Sequence, residues 1–600
     1  MLSRQADDGE NGDEIVILRK LVAFNRPMLT KVACAPSFVA ASFLALILAG
    51  SANAGTIEPQ PKMGEPVDEL SPVQLDQFVQ GKEQFTRVLT VEDGLGPTHN
   101  QMSCGSCHNN PVGGSGGTFV TRFGMIGKKG EFDPMEALGG SLLQSLTITP
   151  GCGEELPPDV ITAQRITPSA LGFGLLEAIP DADIQANADS PPRGVSGRVH
   201  IVQPLEDPLG PSRVGRFGWK AQVATVLTFS GDAALNEMGL TNFLVPTENA
   251  PNGDEELLAL CDTVADPEDV MDGEGFFFIE RITHFQRFLA PPPQTPRSGM
   301  TGEQWFDQVG CNKCHVSTFT TGNTVGLEPF LANQVVQPYS DFLLHDMGQA
   351  GDFIGQGDAA PTELRTTPLW GLRVRDPMWH DGRFSGGTFE ARVAAAIAQH
   401  SALGSEANQV ATAYNKLSPT QKDQLTAFLN SLGRAEFDGD GNNEIDVLDF
   451  YSFLGCYGET DVEPDEPCAI HDIDQDGDVD DDDYAAFLLA YDGELLDCDN
   501  DGVLDLTEIL LGAPDADMNG VPDDCPAPCP ADFVSNVTFQ PPGDGIVDAA
   551  DLAFLLGEWG RNPGSLADMV SNVTFQPPPD GVVDAADLAF LLGEWGTCSP

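Results

Sequence analysis

The chain has 600 residues, of which 41% are hydrophobic and 20% are charged, a globular composition with room for about four domains. Its formal net charge of −61 excludes a basic surface for nucleic acid. The charge is uneven, because the segment from Glu436 to the end holds 40 of the 91 acidic residues and a single basic one, Arg561. We therefore expect a distinct acidic tail whose carboxylates bind cations.

The start of the chain has the pattern of an N-terminal extension and signal peptide over 1–54. Two basic residues precede an apolar run at 37–49, and the A-x-A sequence at 52–54 fits the cleavage rule. Initiation at Met28 would give the signal ordinary proportions. The alternative is an uncleaved membrane anchor, although the run is short for a bilayer span. We expect no membrane span in the mature chain.

A five-residue motif occurs twice, as Cys104-Gly-Ser-Cys107-His108 and Cys311-Asn-Lys-Cys314-His315. The C-x-x-C-H spacing is typical of covalent c-type haem attachment, in which both thiols bond to the porphyrin and the histidine binds iron. The alternative is a disulfide or a zinc site beside a chance histidine. Zinc knuckles need four ligands, usually as two close pairs, and these pairs are 207 residues apart. The sequence therefore predicts two covalent haems.

Six segments around these motifs carry a family resemblance. In chain order they are DGLGPTHNQMSCGSCH, GRFGWKAQVATVLTFSGDAALNEMGLTN, GCNKCHVSTFTTG, YSDFLLHDMG, RTTPLWGLR and WHDGR. Together they resemble the bacterial di-haem oxidoreductase family, also described as thiol-oxidoreductase-like or peroxidase. That family is related to the bacterial di-haem cytochrome c peroxidases and to the methylamine-utilisation di-haem enzymes.

The resemblance implies a mainly α fold with two cytochrome c-like haem domains and long loops, at 65–290 and 291–435. It also implies peroxidase-type chemistry, in which one haem stores an electron and the other reacts with peroxide or a similar oxidant. A small redox carrier would donate the electrons. The alternative is a non-catalytic electron-transfer cytochrome with both haems six-coordinate. The catalytic base is unknown at this point, because the Glu and Gln candidates are too many.

The sixth ligand of each iron separates these two functions, since a filled position favours electron transfer and an open one favours peroxide chemistry. The resemblance places the sixth ligand of the second haem shortly after the WHDGR segment, where His400 is the nearest match. His345, Met347 and His380 are the other candidates. A histidine beside Asp and Gly is also common as a hydrogen-bonding residue in a tight turn, and an exposed histidine suits a helix end.

Two arginines and two tryptophans are further candidates near the haems. Arg365 and Arg383 would suit pairing with a haem propionate, since guanidinium binds carboxylates in bidentate geometry. A surface salt bridge is the alternative for each. Trp370 or Trp379 would suit an electron relay between the haems, although core packing is the commoner role of tryptophan.

Aspartate-rich loops repeat through the segment 436–530. Alternate oxygen ligands in a tight loop converge on one calcium ion, as in EF-hands. The first loop lacks the Gly that is usual at position 6, and a fourth loop from Asp515 matches only the first half of the pattern. Apolar stretches follow the loops, unlike in a disordered acidic linker. The predicted calcium ligands are Asp438, Asp440, Asn442, Asp446, Asp449, Asp472, Asp474, Asp476, Asp480, Asp483, Asp497, Asp499, Asp501, Asp505 and Glu508.

Two longer repeats, 36 residues apart, fill the segment 531–600. Each contains a half-loop followed by an amphipathic helix that ends in Gly. They resemble type I dockerin repeats, which implies docking to a cohesin-like partner; simple cell-surface association is the alternative. The predicted calcium ligands here are Asp544, Asp548, Asp551, Asp580, Asp584 and Asp587.

The cysteine count supports export. Of 13 cysteines, four go to haem and one leaves with the signal, so eight remain for disulfides, as is usual in exported chains. Eight cysteines allow 105 pairings, among which proximity favours Cys456–Cys468 and Cys498–Cys525. We expect a periplasmic, cell-surface or extracellular protein.

Overall fold

The fold is helical with short β-sheets, as a computed structural model shows. The predicted predominance of helix is confirmed, and the sheets are an addition to it. The structure describes residues 58–128, 131–296, 299–498, 502–523, 525, 546–547, 549–560, 567, 582–593 and 596–597, all within one compact unit. The predicted signal segment and the predicted calcium ligands Asp499, Asp501, Asp544, Asp548 and Asp580 lie outside the described residues.

Residues 58–435, which include both C-x-x-C-H motifs, are named here the motif-bearing part. Its helices are α1 (Pro72–Thr86), α2 (Phe173–Ala178), α3 (Asp181–Asp189), α4 (Val226–Met238), α5 (Glu255–Cys261), α6 (Phe278–Phe288), α7 (Thr301–Val309), α8 (Phe389–Gln399), α9 (Asn408–Tyr414) and α10 (Pro419–Ser431). Two of them begin at Ser-Pro, where the serine caps the helix and proline suits its first position.

The sheets of this part are small and antiparallel. The largest joins strand β2 (Phe119–Ile126) to β3 (Phe132–Asp133), β4 (Leu142–Leu143) and β6 (Ile161–Ile166), with Phe119 opposite Ile166. The two-stranded sheets pair β1 (Thr98–His99) with β5 (Leu146–Thr147), β7 (Ile201–Val202) with β8 (Arg213–Val214), β9 (Phe319–Thr320) with β10 (Val335–Val336), and β11 (Leu344–Asp346) with β12 (Glu363–Arg365).

The helix before the first C-x-x-C-H motif crosses another helix at a glycine. A Cβ at Gly81 of α1 would lie 2.4 Å from the Arg281 carbonyl oxygen of α6 and 2.9 Å from Phe285 Cβ, so only glycine allows this approach. One turn later, the ring of Phe85 packs against Phe285, with centroids 4.9 Å apart, and against His108, at 5.8 Å. The crossing therefore supports the motif histidine.

The helix before the second motif repeats this arrangement. A Cβ at Gly302 of α7 would lie 2.1 Å from the Gln424 carbonyl oxygen of α10 and 2.6 Å from Phe428 Cβ. The ring of Phe306, again four residues on, lies 5.5 Å from Phe428 and 6.4 Å from His315. The same glycine-to-phenylalanine spacing thus supports both motif histidines.

The acidic segment after residue 435 has its own core. Its helices are α11 (Val447–Cys456), α12 (Asp481–Ala490) and α13 (Asp505–Leu510). They bury an aromatic cluster of Phe437, Phe450, Phe453 and Phe487, so the alternative of a disordered linker is wrong for this segment. It packs on the motif-bearing part, for example where Gln60 donates to Glu436 at 2.8 Å.

The two 36-residue repeats pack on each other. Helices α14 (Ala549–Gly557) and α15 (Ala585–Gly593) share a small core, and β13 (Ile546–Val547) pairs with β14 (Gly596–Thr597). Gly560, after the first helix, pairs with Val583, before the second. The pairing is reciprocal, as expected for a duplicated unit.

Three disulfides join described cysteines: Cys152–Cys261, Cys456–Cys468 and Cys498–Cys525. The two favoured by proximity are confirmed. Separately, none of the helices in the described residues is both long and apolar enough to cross a membrane.

Candidate functional site

The first C-x-x-C-H motif forms a tight turn. Cys104–Ser106 is a 3₁₀ turn capped by Ser103, whose hydroxyl accepts from the Ser106 amide at 3.1 Å. His108 Nδ1 lies 3.1 Å from the Gly114 carbonyl oxygen, so this nitrogen carries the proton and donates to it. The ring is thereby fixed with Nε2 as the free lone pair, the arrangement that suits an iron ligand. Burial lowers the pKa of His108 to about 4, so the ring stays neutral.

The second motif has the same geometry. Cys311–Lys313 is again a 3₁₀ turn, and His315 Nδ1 donates to the Tyr339 carbonyl oxygen at 2.9 Å. Burial lowers the pKa of His315 to about 4. Two histidines 207 residues apart in sequence therefore present the same neutral tautomer through backbone acceptors.

The four motif cysteines are the ones that the described part of the chain leaves out of disulfides. Burial raises the pKa of Cys104 and of Cys311 to about 12, and that of Cys107 to about 11. Buried thiols of this kind are poor thiolate nucleophiles and poor zinc ligands. They suit thioether bonds to a porphyrin, which carry no charge.

A cavity adjoins the second motif. Its volume is about 260 Å³, and it is lined mainly by apolar side chains. Cys311, Cys314 and His315 open into it, and so do Trp370 and Trp379, the two relay candidates. Thr167, which hydrogen-bonds the Cys107 thiol, also lines it. The cavity therefore reaches from the second attachment site to the first.

His400 faces the same cavity as His315. Its Nδ1 donates to the Ala396 carbonyl oxygen at 2.8 Å at the end of α8, so its Nε2 keeps a free lone pair. Burial lowers the pKa of His400, and His400 is close enough to contribute to the lowered pKa of His315. The geometry favours His400 as the sixth ligand, which stays a prediction.

The other three candidates also line the cavity. His345 is bonded at both ring nitrogens, with Nε2 2.9 Å from Asp341 Oδ2 and Nδ1 2.7 Å from Glu406 Oε1. That leaves no lone pair for iron, so the structure favours the turn-stabilising alternative for His345. His380 is 3% exposed, and its Nδ1 has no hydrogen-bond partner among the described residues. Met347 is buried. His380 and Met347 stay candidates.

Two arginines in the cavity wall, Arg365 buried and Arg375 half-buried, form no ion pair with a carboxylate of the described residues. Arg365 donates to the Gly218 carbonyl oxygen at 2.7 Å, and Arg375 to that of Pro368 at 2.6 Å. The ion pairs found among the described residues include neither. Burial lowers their pKa values to about 9 and about 10. Arg383 instead forms a surface pair with Asp381 at 2.5 Å, so for Arg383 the salt-bridge alternative is confirmed.

A half-buried glutamate lies beside the first motif. Glu237, near the end of α4, accepts from Asn100 Nδ2 at 2.9 Å. It is close enough to Cys107 to raise the pKa of that thiol, after burial. Burial raises the pKa of Glu237, while Arg122 of β2 opposes the rise. Glu237 and Arg375 were not predicted from the sequence. The signal available for Glu237 was its place as a charged residue near the end of the segment GRFGWKAQVATVLTFSGDAALNEMGLTN.

The first two predicted calcium loops bring their carboxylates together. In one loop, oxygens of Asp438, Asp440 and Asp449 lie within 4.8 Å of one another; in the other, those of Asp472, Asp474 and Asp483 do. The two loops share one hydrogen bond, in which the carboxylate at loop position 12 accepts from the amide of loop residue 2 at 2.7 Å. The first loop has Asn443 at position 6, with a φ of 69°, a conformation that asparagine tolerates.

The third and fourth loops close differently. The Cys498 amide donates to Asp505 at 2.8 Å and the Ala516 amide to Asp523 at 3.1 Å. In these loops the amide of loop residue 2 therefore bonds to the carboxylate at loop position 9, whereas in the first two loops it bonds to the carboxylate at position 12. In the last repeat the Asp584 amide donates to Asp587 at 2.9 Å, the same contact that Asp480 makes to Asp483. The remaining predicted ligands lie as follows: Asn442 and Asp476 in the loop turns, Asp446 and Asp480 as helix caps, Asp497 at the start of the third loop, Glu508 in α13 and Asp551 in α14.

Residues 152–432 match the family described as "Di-haem oxidoreductase, putative peroxidase". The match includes the second motif, Glu237 and all four candidate sixth ligands, while the first motif lies upstream. It supports haem as the cofactor and oxidoreduction as the class of activity. No curated protein matches the chain.

Two solved structures are similar at a low level. One is a MauG-like protein associated with microbial copper homeostasis, 16% identical, covering 64% of this chain and 95% of its own, with a TM-score of 0.29. The other is Kuenenia stuttgartiensis hydrazine synthase, 13% identical, covering 68% of this chain and 100% of its own, with a TM-score of 0.26. Both TM-scores are too low to carry an argument.

The environment of His345 predicts a pH-dependent stability. Burial opposes its charged form, but hydrogen bonds to Asp341, Cys314 and Glu406 outweigh burial and raise its pKa to about 12. The unfolded value is about 6.5, so the stabilisation is complete below about pH 6.5 and declines as pH rises. In calorimetry, the melting-temperature difference between wild type and His345→Asn should shrink between about pH 7 and about pH 9.

A matched control is His284→Gln. His284 is packed among phenylalanine rings, and burial lowers its pKa, so its neutral form contributes equally throughout that pH range. A His345→Asn difference that stays constant with pH would contradict the charged assignment.

Proposed function

We propose that this protein is an exported di-haem oxidoreductase of the cytochrome c peroxidase type, with a calcium-binding module at its C-terminus. The observation that carries the proposal is the contrast between the two attachment sites. The second has a neutral histidine, His400, beside His315, whereas the first has an acid, Glu237, beside Cys107. His315 and His400 would hold the iron of the second haem, and Glu237 would transfer a proton at the first.

The second site would store an electron. His315 and His400 both donate Nδ1–H to backbone carbonyls, so both offer Nε2 in the neutral form that iron binds. A haem with two histidine ligands suits electron transfer. Arg365 and Arg375 would neutralise its propionates, which would account for two shielded guanidinium groups that form no ion pair among the described residues.

The first site would react with the oxidant. Reduction of one peroxide to two waters consumes two electrons and two protons from solvent; the haems, when bound, would bind the peroxide and supply the electrons. Glu237 would take the proton from the attacking oxygen and return it to the leaving one, since a raised pKa suits a general acid–base group. Arg122 would stabilise the ionised carboxylate, as its effect on the pKa of Glu237 indicates.

Spectroscopy of the full-length protein tests this division of labour. We expect one high-spin ferric haem that binds cyanide, one low-spin haem, and turnover of hydrogen peroxide with a reduced carrier. Two low-spin haems in both redox states, with no turnover, would instead establish the electron-transfer alternative.

The role of Glu237 predicts a specific kinetic defect. Glu237→Gln keeps the hydrogen-bonding shape but cannot exchange the proton, so kcat for peroxide should fall by about 10²–10⁴-fold with haem content unchanged. The control is Glu255→Gln, an exposed residue of α5. Wild-type kcat in Glu237→Gln would contradict the assignment of the base.

The C-terminal module would bind calcium in loops that share a buried closing carboxylate. Asp449 and Asp483 are each 1% exposed and converge with two further carboxylates. Burial and neighbouring aspartates raise the pKa of Asp483 to about 7, a cost that a bound cation would remove. The paired repeats α14 and α15 would then present helix faces to a cohesin-like or cell-surface partner.

The calcium loops predict a separable unfolding event. Chelation should reduce far-UV helicity of the tail while the haem absorbance stays intact, because the two parts have separate cores. Asp483→Asn should lower the number of bound calcium ions by about one per chain, and the exposed neighbour Asp482→Asn should not. Unchanged helicity after chelation would contradict the calcium assignment of the tail.

A further inference from the structure

Three carboxylates converge in the motif-bearing part, far in sequence from the acidic tail. Glu248 follows α4, and Asp266 and Glu268 lie between α5 and α6. One oxygen of each lies within 4.8 Å of the others. None of these residues belongs to the predicted calcium loops or to the haem sites.

The central carboxylate is buried and incompletely bonded. Glu248 is 7% exposed, and its Oε2 has no hydrogen-bond partner among the described residues. Its Oε1 accepts only a long bond, 3.2 Å, from the amide of Asn249. A buried carboxylate oxygen without a partner is costly, and this one lies against two further carboxylates.

Among the described residues, no positive side chain forms an ion pair with the cluster. After burial, the charges that raise the pKa of Glu248 are those of other acids, Glu268, Asp266 and Asp262, while the Asn249 amide opposes the rise. Burial and these neighbours raise the pKa of Glu248 to about 9. Without a cation, the group must hold a proton at neutral pH.

We propose that Glu248, Asp266 and Glu268 form a binding site for a divalent cation of the calcium class. All the available ligands are hard oxygens, which suit calcium and disfavour zinc or copper. Thr241 orients the site, since its amide donates to Glu268 Oε2 at 2.8 Å and its hydroxyl donates to the same oxygen, with Asp266 Oδ1 3.2 Å from that hydroxyl. Water would complete the six to eight ligands that calcium takes.

The site joins segments that surround the first haem motif. A Cβ at Gly94, ten residues before Cys104, would lie 2.4 Å from Glu268 Cβ, so these two segments of the chain are in close contact. Asp269, next to Glu268, accepts the Phe278 amide at 2.7 Å at the start of α6. Thr241 follows α4, which carries Glu237. A bound cation would therefore fasten the end of α4 to the segment that leads into the first motif.

Calcium counting on the full-length haem protein tests the proposal. Metal is removed with a chelator, and calcium is then added back to saturation. After dialysis, bound calcium is measured by inductively coupled plasma mass spectrometry. Glu248→Gln should bind about one ion per chain fewer than wild type, and the exposed control Glu256→Gln should bind the same number. Asp266→Asn, which leaves the buried Glu248 in place, serves as a second variant should Glu248→Gln fail to fold.

Infrared spectroscopy gives a second readout that separates cation binding from simple proton storage. In the metal-free state, the difference spectrum of wild type minus Glu248→Gln should show the carbonyl band of a protonated carboxylic acid, because the subtraction removes the signals of other protonated groups such as Glu237 and Asp483. Calcium should abolish that difference band. The proposal is overturned if calcium leaves the band unchanged, or if the Glu248 and Asp266 variants both retain the wild-type number of ions. Either outcome is independent of Asp483→Asn, which reports on the tail.

Discussion

Two helix crossings at glycine hold the two C-x-x-C-H segments in place. At Gly81 and at Gly302 the backbones approach so closely that a single Cβ would collide with a carbonyl oxygen. Each crossing sets a phenylalanine, four residues on, against the ring of a motif histidine. Each histidine is then fixed from its other side by a backbone carbonyl. The repetition indicates two structurally similar units, since the same packing around a motif histidine is used twice.

Charged side chains of opposite sign lie beside the two motifs. The cavity beside the second motif has the guanidinium groups of Arg365, which is buried, and Arg375, which is half-buried; neither forms an ion pair among the described residues. The region beside the first motif has a half-buried acid, Glu237, whose raised pKa Arg122 opposes. Unpaired charge away from water is costly. Under the proposed function, the haem propionates would offset this cost at the arginines, and Glu237 would use its raised pKa to transfer a proton.

Much of the site could be predicted from the sequence, because its strongest signals are local. The C-x-x-C-H motifs and the aspartate loops are short segments, and the two disulfides favoured by proximity join cysteines only 12 and 27 residues apart. Glu237, Arg375 and Glu248 could not be predicted, because their significance depends on partners brought together, or left out, by the fold. Asn443 shows the limit of a motif, since it takes the left-handed conformation for which the loop pattern specifies glycine. His345 shows the reverse: its residue type suits an iron ligand, but both of its ring nitrogens are already bonded, to Asp341 and Glu406.

The account depends on haem being bound covalently at both cysteine pairs. Intact mass spectrometry of the purified mature protein under denaturing conditions tests this most directly. The account predicts a mass equal to the processed polypeptide plus two haems, with the pyridine haemochrome spectrum of thioether-linked haem. A mass that lacks both additions, without that spectrum, would contradict it.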